Sequence, residues 1–476
     1  MRRLGLALAI GVACAPALFA QVDRSKAPAL PAPPALRVAT PQTARLPNGL
    51  ELIVYEMHEV PVVDVQLLVR AGSVVDPRDM PGLATFTAGM LDEGAGNRAA
   101  LDIAEEAAFL GASLGAGAGY ESATISLHVP KRQLAPALDL MADVALRPTF
   151  ADSEVARQRE LRRTAILQLR DQPNAQSPLA FNAIVYGEDH PYAWPTGGTE
   201  ASTAALDRAR VEQFYRTWYR PNNARMLVVG DITLAEARRL ITERFGRWER
   251  AAVPALPAPP APAGGSRTFY IVDKPGAAQT VIRIGHVGVP RSTPDYYALE
   301  VMNTILGGSF TSRLNQNLRE NKGYTYGAGS GFAMRRLAGP FTATASVVTA
   351  KTDSSLIEFF RELRRIRDSI VPAEEVAKAK TYLALSLPEN FETTRGAAGQ
   401  FLDVITNDLP LNYWSTYIQR INAVTPADVQ RVARQYIDPD RFAIVLVGDR
   451  ARIEEGIRAL NEGPISIRDL WGAEIR

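Results

Sequence analysis

"WYRPNNARMLVVGDIT", Trp218 to Thr233, is echoed late in the chain by "QYIDPDRFAIVLVGDRA", Gln435 to Ala451. In each, an aromatic residue and a proline precede a Val/Leu-rich run that closes on Gly-Asp. A short apolar run bounded by turn-forming residues reads as a buried strand. Upstream, "LELIVYEMHEVPVVDVQLLVRAGS" from Leu50 and "FYIVDKPGAAQTVIRIGHVGVP" from Phe269 correspond as well, each reading as two strands about a turn. Between openings and closings, Val155–Leu169 and Ser355–Ile366 repeat apolar residues at three- and four-residue spacing, the period of a helix. "AAVPALPAPPAPAGG", Ala251 to Gly265, separates two blocks of similar length and reads as a semi-rigid linker. The chain is therefore α+β, with two homologous halves at 44–250 and 266–476, each a mostly antiparallel sheet covered by helices.

The 476 residues carry 53 basic and 51 acidic side chains, a formal charge of +2, which gives no footing for nucleic acid or an anionic membrane. The N-terminus "MRRLGLALAIGVACAPALFAQ" has two arginines, an apolar run from Leu4 to Ala13 and then small residues, the pattern of a secretory signal. Cleavage after Ala17 or Ala20 leaves a Pro/Ala-rich tether over 21–43 and a periplasmic or secreted product. The only cysteine, Cys14, lies in the signal and raises a lipoprotein alternative. Gly11 stands where such signals carry a bulky aliphatic residue, which disfavours it. Membrane attachment is expected only if Cys14 is lipidated. With Cys14 removed, no disulfide supports the fold.

"GLATFTAGMLDEG", Gly82 to Gly94, opens with Pro81 at a helix start and places Thr85, Ala88 and Gly89 on one helical face. That is the i, i+3, i+4 spacing of an H-x-x-E-H zinc motif, whose histidines hold the metal and whose glutamate activates water. Small residues on a helix face also simply permit close packing. Together with "RLPNGLELIVYE", "AGSVVDP", "LGASLGAGAGYESATISL" and "LGGSFTSRLNQNLRENKGYTYGAGS", this stretch resembles the M16 metallopeptidases, the insulinase and mitochondrial processing peptidase family. The resemblance runs from about Ala44 to Gly448. It implies that Thr85 and Gly89 replace the two histidines, Ala88 the catalytic glutamate, and Ala165 a glutamate ligand on a later helix. No metal is then expected in this chain. The histidines that remain, His58, His128, His190 and His286, are scattered, which argues against a relocated site.

The resemblance also implies roles for Arg319 and Tyr326, seven residues apart in "LRENKGYTYGAGS". In the family, an Arg and a Tyr at this spacing grip the substrate backbone and help stabilise the tetrahedral intermediate. A guanidinium presents fixed donors to carbonyl oxygens, and a phenol can donate to a developing oxyanion. On a regular strand Tyr324 and Tyr326 share a face, so the sequence leaves open which one acts. "ASLGAGAGYESATISLHV" resembles the strand along which family substrates pair, its glycines serving close approach or a tight bend.

The implied function is that of the non-zinc, substrate-binding subunit of a secreted or periplasmic heterodimeric M16B metalloendopeptidase. Zinc is expected in an H-x-x-E-H-bearing partner, and unfolded peptides are the expected substrates. The alternative is an inactive M16-like scaffold or peptide-binding protein. A self-sufficient zinc peptidase conflicts with the four replaced positions.

Overall fold

The computed structural model describes residues 37–256, 259–262 and 265–475. The signal over 1–20, Cys14 and the tether as far as residue 36 lie outside the described residues. From Val38 onward the chain forms one compact unit.

The first sheet is built from β1 (Gln42–Arg45), β2 (Glu51–Glu56), β3 (Val62–Val69), β4 (Ser113–Ala118), β5 (Ala123–Pro130) and β6 (Ala224–Gly230). The second holds β7 (Thr268–Asp273), β8 (Gln279–Val287), β9 (Thr325–Phe332), β10 (Pro340–Val348), β11 (Ala443–Gly448) and β12 (Ile465–Arg468). Their orders are β1-β2-β6-β3-β5-β4 and β12-β7-β11-β8-β10-β9, so five strands correspond one to one. Pairing is antiparallel except for β2 with β6, β7 with β11, and β7 with β12. β1 begins at Gln42, inside the stretch that reads as tether.

The opening strands of each half do not form a hairpin. The closing strand lies between them, β6 between β2 and β3, and β11 between β7 and β8. This central position explains the quoted repeat. All of β11 is buried, and a strand covered on both faces must be apolar throughout. β5, one place from the edge, instead alternates buried and half-buried residues. The terminal glycine of β6 is also forced. Gly230 has φ +137°, and a Cβ there would lie 2.2 Å from the Val62 carbonyl oxygen.

Each sheet is roofed by a helix from the other half of the sequence. Helix α3 (Pro173–Tyr186), preceded by α1 (Leu83–Gly89) and α2 (Asp152–Leu169), buries Ala180, Phe181 and Val185 with Val281, Val445 and Val447 of the second sheet. Arg283 of β8 donates to Ser177 of α3 at 2.9 Å. Reciprocally, α4 (Thr394–Thr406) lies on the first sheet. Its Phe401 ring sits 4.7 Å from that of Tyr55, and Thr394 donates at 2.5 Å to Asp64, a β3 carboxylate that is 1% exposed. The opposite face of the first sheet carries a large apolar core with helices including Leu134–Leu146, Arg208–Trp218 and Leu234–Phe245. No helix among the described residues is long and apolar enough to cross a membrane.

Candidate functional site

Gly82, at φ +89°, starts α1 so close to the neighbouring loop that a Cβ would meet the Gly198 nitrogen at 2.6 Å. Asp76 caps the helix from outside. Its carboxylate accepts from the backbone N–H of Gly82 at 2.8 Å and of Ala84 at 2.7 Å, satisfying two donors that the first turn leaves free. Burial pushes this carboxyl up to about 7 against the pull of those bonds and of Arg162.

The three positions on α1 have separate fates. Ala88 is wholly buried in the core. Thr85 donates its hydroxyl to the Thr196 carbonyl at 2.6 Å and to that of Gly82 at 3.0 Å, fastening the helix to the adjoining loop. Gly89 opens onto a cleft of about 400 Å³ that Ala165 of α2 also lines. A Cβ at Gly89 would meet nothing within 4 Å. The fold thus brings Gly89 and Ala165 to one cavity, while Thr85 is engaged elsewhere.

Arg162, which motif spacing did not single out, also lines the cleft one helical turn before Ala165. Its Nη1 donates to the Gly82 carbonyl at 2.7 Å, and its guanidinium lies 5.0 Å from the Phe86 ring centre. Burial lowers its pKa to about 10, leaving it cationic at neutral pH. Phe86, Leu161, Ile166 and Leu169 supply apolar walls, with no thiol, imidazole or carboxylate among the lining side chains. Zinc needs three or four such ligands, and a fixed guanidinium opposes a dication, so these residues do not fit zinc.

Among the described residues no group of three or more His, Cys, Asp and Glu is placed to hold a metal. The histidines are engaged separately. His58 bonds Asp231 and Glu56, His128 bonds Asp64, His190 accepts from the Tyr192 N–H, and His286 bonds the Val287 carbonyl.

In the second half, Arg319 belongs to a π-helical turn, Gln316–Asn321, and its guanidinium sits 4.7 Å from the Phe310 ring centre and 3.2 Å from Glu320. Such wide turns are rare and recur at functional sites. Gly323, at φ +64°, turns the chain into β9. There the register with β10 slips between Thr325 and Ala328. The bulge is stapled by Thr325, whose hydroxyl accepts from the Gly327 N–H at 3.1 Å and donates to the Ser346 carbonyl at 2.7 Å. It aims Tyr326 away from the sheet, 89% exposed. Tyr324 stays half-buried with the Lys351 ammonium 5.7 Å from its ring centre. The two tyrosines, which a regular strand would align, are set apart by the bulge.

β4 and β9 are equivalent edge strands, and both are glycine-rich, "GAGAG" at 115–119 and "GAGSG" at 327–331. At Gly115, Gly117 and Gly119 a Cβ would meet nothing within 4 Å, so the backbone lies open along this edge.

Two family models match: Insulinase (Peptidase family M16) over residues 52–191, and Peptidase M16 inactive domain over 205–383. The chain belongs to the M16 peptidase family. It is 28% identical over 450 residues to an uncharacterized zinc protease of Mycobacterium tuberculosis, covering 90% of this chain and 98% of that one. It is similar to the crystal structure of a peptidase M16 inactive domain from Pseudomonas fluorescens, with TM-score 0.81, 27% identity, and 86% and 98% of the two chains covered. It shares its fold with the periplasmic protease PqqL of Escherichia coli at TM-score 0.72 and 17% identity, covering 89% of this chain but 49% of that one.

Proposed function

We propose that this chain is the non-zinc, substrate-binding subunit of an exported two-chain M16B zinc endopeptidase. In this reading it presents Arg319 and Tyr326 to an active site whose zinc and general base belong to an H-x-x-E-H-bearing partner. The observation that carries the proposal is the contrast between the two halves of the site. The cleft at Gly89 and Ala165 holds Arg162 in place of metal ligands, whereas Tyr326 is projected into solvent by a stapled bulge on the strand that packs against the turn carrying Arg319. A phenol exposed in this way does nothing for its own fold, and is placed to contact another molecule. PqqL, in which this fold accounts for about half of one chain, supports a paired arrangement. The N-terminal pattern supports export.

On this reading Arg319 donates to peptide carbonyls, and the Tyr326 hydroxyl donates to the oxygen that gains charge as the scissile carbonyl is attacked. The test is cleavage of a fluorogenic peptide library by the chain, by an H-x-x-E-H M16B subunit encoded beside it, and by their mixture. Activity is expected only in the mixture, chelator-sensitive, and about a hundredfold lower with Arg319→Ala or Tyr326→Phe. Chelator-sensitive cleavage by this chain alone would overturn the proposal. So would a mixture in which the chains associate without cleaving, which would leave the inactive scaffold.

A further inference from the structure

A larger cleft, about 700 Å³, lies on the other face of the first sheet and is floored by Gly115, Gly117, Gly119, Thr124 and Ser126. Both of its walls come from the second half of the sequence: Met334 and Arg335 from the β9–β10 connection, and Thr406 and Asn407 from the end of α4. The guanidinium of Arg335 packs against two tyrosines of the first half that meet edge to face, 3.8 Å from the Tyr120 ring centre and 4.6 Å from that of Tyr192. This holds the group in one orientation and leaves its charge unspent. Among the described residues Arg335 has no carboxylate within ion-pair distance, and its Nη1 is buried without a partner. The one carboxylate lining the cleft, Glu121, accepts from the Tyr192 hydroxyl at Oε1, and its buried Oε2 lies 3.4 Å from Arg336 Nε without a hydrogen bond.

Across the cleft stands Asn407, only 9% exposed. Its Nδ2 donates to the carbonyl and carboxylate of Asp403, both at 2.9 Å, while its Oδ1 has no partner. A free cationic donor and a free amide acceptor therefore flank open backbone. A buried donor or acceptor left unmatched is costly, so both are set for a ligand or solvent to complete.

We propose that this cleft seats a carboxylate of an extended peptide lying along β4, the carboxylate on Arg335 and a peptide N–H on Asn407 Oδ1. The proposal rests on the peptide-binding reading above and adds the substrate class, peptides with a carboxylate at a fixed position. At ~3.3 Å per residue, the floor from Gly115 to Gly119 spans about four peptide residues. The carboxylate comes either from an Asp or Glu side chain or from the peptide's own C-terminus, and the two sources are separable.

The experiment is fluorescence anisotropy of the full chain with labelled extended peptides of one core sequence. The four forms carry a free C-terminus or an amide, and an internal Asp or Asn. The peptide with neither carboxylate is expected to bind about tenfold or more weakly than one of the two single-carboxylate forms, as for a hydrogen bond to a charged group. The difference should vanish in Arg335→Gln.

Arg335 also braces the two halves, so Thr406→Asp provides a second variant. It adds a competing carboxylate to the wall, leaves the tyrosine packing in place, and should remove the same preference. Equal affinity for all four peptides overturns the proposal and leaves peptide binding standing. A carboxylate preference that survives both variants overturns the role of Arg335. Absence of binding by every peptide overturns this inference and the peptide-binding reading together.

Discussion

Phe181→Ala tests whether the two halves are one cooperative structure. Phe181 lies in the first half of the sequence, yet it is 1% exposed in a cluster that it shares with Val272, Val281, Ala443, Val445 and Val447 of β7, β8 and β11 in the second sheet. A Phe side chain removes about 150–250 Å² from water, which at about 25 cal/mol/Å² is roughly 4–6 kcal/mol as an upper estimate. Measured Phe→Ala losses in cores run at about 3–5 kcal/mol, and that is the expected cost here. It is a large share of the usual ~5–15 kcal/mol of total stability. The assay is urea unfolding combined with hydrogen exchange read by mass spectrometry. We expect a single transition moved to lower urea, with exchange rising first in β8 and β11 and then throughout. The reasoning is refuted if β8 and β11 keep wild-type protection, or if a 266–476 fragment lacking α3 folds with wild-type protection of that sheet.

Asp76 predicts a pH dependence. Its pKa is raised from 3.8 to about 7, so the folded state holds the proton more tightly than the unfolded chain. The resulting stability is fully present below about pH 4 and is lost as pH rises to about 7, by up to roughly 4 kcal/mol at 1.36 kcal/mol per unit. Urea midpoints of wild type and Asp76→Asn between pH 4 and 7 should show wild type losing stability relative to the variant. A difference that is flat, or that grows in favour of wild type, contradicts the assignment. Tyr326→Phe should alter folding stability by less than about 0.5 kcal/mol, since the side chain is exposed and its hydroxyl makes no hydrogen bond among the described residues. A calorimetric loss well above that would assign the phenol a role in holding the fold.

The sheets were legible because strand burial leaves a mark on composition. β11, and β6 from Met226 onward, are covered on both faces, so these stretches are continuous apolar runs, and Gly230 is required by the approach of Val62. The helices of the quoted periodic stretches were legible for a similar reason, appearing as α2 and as Thr352–Asp368. The exchange of α3 and α4 was not. The periodicity of Ala180, Phe181 and Val185 says that one face of a helix is buried, and nothing in it names the sheet that buries it. Strand order was hidden likewise, because two strands about a turn look alike whether they pair directly or admit a third between them.

The site divides along the same line. Helical spacing put Thr85, Ala88 and Gly89 on one face of α1. Ala165 came from the family resemblance alone, because no local pattern links two separate helices; the fold sets Gly89 and Ala165 on one cavity. Arg162 escaped both, being one of several arginines in "RELRRTAIL" that differ only in which way they face. Which of Tyr324 and Tyr326 is exposed depends on a bulge, and a bulge is fixed by pairing with β10 and by the Thr325 hydroxyl. The fold itself does not depend on metal at this position. Ala88 is core, Thr85 bonds a loop carbonyl, Asp76 caps α1, and Arg162 bonds the Gly82 carbonyl, so the contacts around this part of α1 are made without a metal. The whole two-sheet architecture, and the projected Tyr326, thus stand with no metal ligand lining this cleft.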